Sequence, residues 1–75
     1  MKQNLRTQRQ LASNELVTPD GTVLQQQVVV ITDGRVTSWQ PLVAEQAHTE
    51  WLQGRITLRE DASGLRAYYK EKLLT

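Results

Sequence analysis

The chain contains no cysteine and no phenylalanine, only two prolines, and four aromatic residues in 75. Without cysteine there can be no disulfide, no thiolate zinc site and no thiol nucleophile. A secreted domain of this size usually needs a covalent staple, so a reducing, cytoplasmic setting is expected. Long apolar runs are missing too. The longest, Val28-Val29-Val30-Ile31, has four residues, and Met1 to Gln10 holds no apolar stretch, so neither a secretory signal nor a membrane-spanning helix is expected. Charge of one sign is also lacking: nine Lys and Arg against eight Asp and Glu leave a net charge of +1. With 39 % apolar residues the composition is that of an ordinary globular domain.

What is present reads as strands and turns. Met1 to Gln10 carries Lys2, Arg6 and Arg9 with no acid and is expected to fray, leaving residues 11–75 as one small β-rich domain. Leu11 to Thr18 reads as a weak first strand, followed by a turn at Pro19-Asp20-Gly21. Val23 to Thr32 is the strongest strand. Asp33-Gly34 suits a type I′ turn, with Arg35 to Gln40 returning as the hairpin partner. Arg55 to Glu60 alternates, with Ile56 and Leu58 on one face, and Asp61-Ala62-Ser63-Gly64 is a turn. Between these, residues 42–52 place Ala44, Ala47 and Trp51 at helical spacing, which fits a short helix or an ordered loop. Leu65 to Leu74 reads as a strand pointing Leu65, Ala67, Tyr69 and Leu73 inward, with a C-terminal helix as the alternative. The expected fold is therefore mainly β: about five antiparallel strands in a small open barrel or sandwich. An α+β fold is the runner-up.

Four short pieces, Thr18-Pro19-Asp20-Gly21, Val28 to Ile31, Asp33-Gly34-Arg35-Val36 and Gly54-Arg55-Ile56, occur in an order that resembles the small β-domain flanking the barrel in amidohydrolase-superfamily enzymes. The likeness spans residues 9–58. It implies a stand-alone β-module and carries no catalysis, because that family's metal site uses a His-x-His pair and a barrel, whereas this chain has one histidine.

No enzymatic constellation stands out. On a helix His48 would have Glu45 as a neighbour at i, i+3, and two weak ligands are too few for a closed metal site. Ser13, Ser38 and Ser63 lie in no nucleophile elbow, and the glycines fall one per turn rather than in a phosphate loop. No catalytic residue, metal or cofactor is expected. Two binding readings remain. In residues 54–75, Arg55, Arg59, Arg66, Lys70 and Lys72 outnumber Glu60, Asp61 and Glu71. Alternation would align those cations with Tyr68 on one face, the pattern of a single-stranded nucleic-acid binder. The other reading starts from Val28, Val29, Val30 and Ile31, which cannot all face one way, so the sheet needs cover on both sides. That cover comes from within the chain or from a partner. The expectation is a non-enzymatic module acting by protein–protein contact, as a homodimer with Trp39 or Trp51 near the contact.

Overall fold

A computed structural model of the chain describes residues 8–43 and 48–75. Six strands form one sheet: β1 (Gln8–Val17), β2 (Val23–Thr32), β3 (Arg35–Pro41), β4 (Thr49–Asp61), β5 (Gly64–Tyr69) and β6 (Lys72–Leu74). Their order is β3-β2-β1-β4-β5-β6. The mainly β expectation holds, and the sheet curls into a half-barrel.

Several details differ from the sequence reading. The described residues form six strands where about five were expected, and the sheet is mixed, because β4 runs parallel to β1. The first strand begins at Gln8, so Arg9 and Gln10 belong to it. No helix occurs among the described residues. Trp51 and Leu52 lie in β4, and the part of the expected helix at residues 44–47 lies outside the described residues. The stretch from Leu65 to Leu74 is two strands, not one and not a helix. It breaks at Lys70-Glu71, so that Tyr69 pairs with Lys72 and Tyr68 with Leu73.

The turns follow local chemistry. At Asp33-Gly34 both residues have positive φ, +52° and +80°, as a type I′ hairpin demands. In the turn after β1, Asp20 accepts hydrogen bonds from the Thr18 hydroxyl and the Thr22 amide, while the Gly21 amide donates to the Thr18 carbonyl. The β5–β6 turn is built differently. Lys70 and Glu71 both sit in the left-handed region, at φ +52° and +66°, where Asn-Gly would sit without strain. Replacing them together, Lys70→Asn with Glu71→Gly, is expected to stabilise the domain by about 1 kcal/mol. In a thermal melt this reads as a rise of about 4–8 °C.

A line of irregularity across β2, β1 and β4 curls the sheet. Leu11 and Leu16 both enter the core, as do Val29 and Leu24. Such five-residue separations would put each pair on opposite faces of a straight strand. The chain resets at Gln26 (φ +50°), at Asn14 and at Gly54 (φ +114°), where the β1–β4 register shifts. Polar groups repair the ladder along this line. Asn14 Oδ1 accepts from the Gly54 amide at 2.7 Å, Ser13 Oγ donates to the Glu15 carbonyl at 2.7 Å, and Gln27 Nε2 donates to the Gln25 carbonyl at 3.0 Å. The buried Ser13 and Gln27 are thus satisfied, and the glutamine run of β2 has a structural role.

Curling brings the strands on either side of this line face to face. Leu11, Val29, Ile31 and Val36 pack with Leu16, Ile56, Leu58 and Ala67, while Trp39, Leu52, Leu65, Tyr69 and Leu74 close the margins. β3 thereby touches β5, although three strands separate them in the sheet. Arg66 fastens this closure by donating to the Gly34 carbonyl at 3.1 Å.

Val28 and Ala12 are register partners on the opposite face from Val29 and Leu11, yet both are enclosed. The two-faced apolar run is therefore buried within one chain: Val28, Val29 and Ile31 fully, Val30 in part. These four side chains do not by themselves require a partner.

Candidate interaction edge

The cationic face drawn from sequence is divided by the fold. Arg55 donates twice to Glu15, at 3.0 and 2.8 Å, and this bond holds the Glu15 carboxyl below its ordinary range. Arg66 is spent on Gly34, on the Ser63 hydroxyl and, at 3.7 Å, on Asp61. Lys70 sits in the β5–β6 turn with its Nζ 5.4 Å from the Tyr69 ring centre. Lys72 is the register partner of Tyr69, so it lies on the opposite face from Tyr68, and Leu73 takes the place expected for Lys72. Of the six candidates only Arg59 and Tyr68 form a cation–aromatic pair on the expected face, with Arg59 Cζ 5.1 Å from the ring centre.

Two further expectations can be located. His48 precedes β4 with φ +58°. Among the described residues no group of three or more His, Asp or Glu side chains could hold a metal ion. Among the described residues there is likewise no helix long and apolar enough to cross a membrane.

The feature that sequence reading missed is an edge. β4 has 13 residues, but β5 pairs only with Ile56–Asp61. From Glu50 to Gln53 the strand has β1 on one side and no strand on the other, among the described residues. The Gln53 carbonyl faces this open side, where Tyr69 Oη donates to it at 2.6 Å, whereas the Gly54 amide turns back to Asn14 on β1. By the two-residue period of a strand, the amide and carbonyl of Trp51 point the same way as those of Gln53. The Gln53 carbonyl is taken by Tyr69, whereas the outward groups of Trp51 have no partner strand among the described residues and form a template for another strand.

Around this template the side chains are arranged as anchor and frame. Trp51 is the register partner of Ala12, on the face away from the core, and is 49 % exposed. Glu50 points to the core side and takes two hydrogen bonds from Arg9, at 3.0 and 2.9 Å. That bond holds the Glu50 carboxyl below its ordinary range, so the edge carries a neutralised pair rather than a lone repelling charge. Arg9 also donates to the Thr75 carbonyl at 2.8 Å. Where the open stretch ends, Gln53, Gly54, Arg55, Thr57, Tyr69, Lys70 and Glu71 line a shallow cleft of about 290 Å³.

The other margins of the sheet are better guarded. β3 carries Pro41 and a bulge opposite Val30 and Ile31, and β6 is only three residues long. Trp39, the other expected contact residue, packs partly buried against the core. Comparison with protein-family models, characterised proteins and solved structures gives no match for this chain.

Proposed function

We propose that the chain is a non-enzymatic β-module that acts by protein–protein contact, through the open edge of β4. The observation that carries this reading is the conjunction, at Trp51, of outward backbone groups with no partner strand among the described residues and a half-exposed indole. Strand addition draws its affinity from main-chain hydrogen bonds and its specificity from alternate side chains, and this edge offers both. Tryptophan is among the residues that most often dominate binding energy at interfaces. A cysteine-free fold of this size suits a reducing compartment, so the cytoplasm is the setting proposed. The single-stranded nucleic-acid reading has less support, because two of its arginines are already held by carboxylates and its lysines do not join Tyr68 on one face.

A photoreactive benzoylphenylalanine at position 51, irradiated in the expressing cell, tests the proposal. Polypeptide adducts are expected there, and at least several-fold fewer with the same group at Val23, an exposed apolar site elsewhere on the sheet. Absence of polypeptide adducts at position 51, or equal yields at both positions, would overturn it.

A further inference from the structure

We infer that the strand received by the β4 edge is the β4 edge of a second copy, in an antiparallel two-fold pairing centred on Trp51. This rests on the reading of that edge as the contact surface and names its occupant. The argument is one of matching ends. β4 is limited on one side by His48, at φ +58°, and the open stretch is limited on the other by Gly54, at φ +114°. Both interruptions lie three residues from Trp51. In an isologous pair centred on Trp51, His48 of one copy falls opposite Gly54 of the other, so the two copies leave the shared ladder at the same levels. An arbitrary extended peptide has no reason to break there, whereas a second copy must.

The same register pairs the outward backbone groups of Trp51. Because the amide and carbonyl of Trp51 both face the open side, two copies of Trp51 form a hydrogen-bonded antiparallel pair that exchanges both bonds, with Cα atoms about 5.5 Å apart. The two indoles then lie side by side on the face away from the core, each covering apolar surface that one chain leaves exposed. Glu50 faces Leu52 of the other copy and keeps its own Arg9, so no unpaired charge enters the contact. Thr49 faces Gln53, whose carbonyl keeps its bond from Tyr69 Oη, which makes a polar flank at each end. The pairing joins two six-stranded sheets into one continuous sheet. It is a small interface, in keeping with weak, concentration-dependent association.

Sedimentation equilibrium on the full chain tests this directly. At concentrations up to about 1 mM the mass is expected to rise toward twice the 8.6 kDa of one chain. Trp51→Pro removes the outward amide without touching the bonds to β1. Trp51→Lys keeps the amide but sets two ammonium groups opposite one another. Each variant, with its strand signal in circular dichroism unchanged, is expected to associate at least about tenfold more weakly. The absence of native cysteine allows a register check: chains carrying Thr49→Cys mixed with chains carrying Gln53→Cys should form the mixed disulfide in preference to either symmetric one. A monomer throughout the range, a dimer indifferent to both Trp51 variants, or disulfides without that preference would overturn the inference. If position 51 still cross-links to other polypeptides while the chain sediments as a monomer, the edge remains the contact surface and only its occupant changes.

Discussion

Ile56→Ala is expected to lower stability by about 2–5 kcal/mol, the largest effect of any single truncation considered for this fold. Ile56 is fully buried in the middle of β4, the register partner of Leu16 on β1 and of Tyr69 on β5. It is thus a member of the core at the point where the parallel and antiparallel halves of the sheet meet. Removing three carbons there forfeits their transfer free energy and leaves a cavity, because the flanking strands are tied by backbone hydrogen bonds and cannot close in. A 75-residue domain has about 4–11 kcal/mol of total stability, so this one change removes a large fraction. Urea titration followed by tryptophan fluorescence measures it. Val23→Ala, at an exposed position, should change the midpoint little. A shift of less than about 1 kcal/mol for Ile56→Ala would mean that the curled sheet does not pack as described.

Gly34→Val is expected to cost about 2 kcal/mol or more, through two separate effects. The backbone at Gly34 has φ +80°, a region that a β-branched residue enters only under strain. A Cβ at this position would also lie 3.3 Å from Arg66 Nη1, the group that ties β5 to this turn. The substitution therefore strains the hairpin and disturbs the closure of the half-barrel together. A drop in Tm of about 8–16 °C follows for a domain of this size. Gly21→Val separates the two effects, because its φ of +91° imposes similar backbone strain while nothing lies within 4 Å of the added Cβ. It is expected to show the smaller loss. Equal losses at the two sites would remove the Arg66 contact from the account.

The sequence was most legible where structure is decided within a few residues. Asp33-Gly34 specifies its turn because both residues tolerate positive φ, and Ile56 and Leu58 announce a buried face by alternation. The requirement of cover on both sides of Val28 to Ile31 was also readable, since no strand can point four consecutive side chains one way. The strand order that sets β4 beside β1 was not, for it depends on pairing between strands distant in sequence. The same holds for the parallel pairing of β1 with β4. Trp51 was misplaced because Ala44, Ala47 and Trp51 share a helical spacing, while the ladder to β1 that makes Thr49 to Leu52 a strand leaves no local trace. The break at Lys70-Glu71 has no local signal, since neither residue is a usual left-handed former, and the faces of Lys72 and Leu73 depend on that break. The open edge of β4 is a difference in length between neighbouring strands, a quantity that appears only once the strands are paired.

The parallel pair at the centre of the sheet also has a kinetic consequence. The β2–β3 and β4–β5 hairpins close over short loops, but the β1–β4 ladder joins Gln10 to Thr49 and Val17 to Thr57, across more than half the chain. The entropy of closing that long segment is lost before the contacts that reward it are made. Folding of this small domain therefore belongs to the slow, high-contact-order regime of milliseconds to seconds, with local hairpins waiting on one long-range event. Until β1 docks, one margin of β4 is bare along its whole length although β5 already covers part of the other, and the interval before docking is when the chain is most open to pairing with the wrong strand.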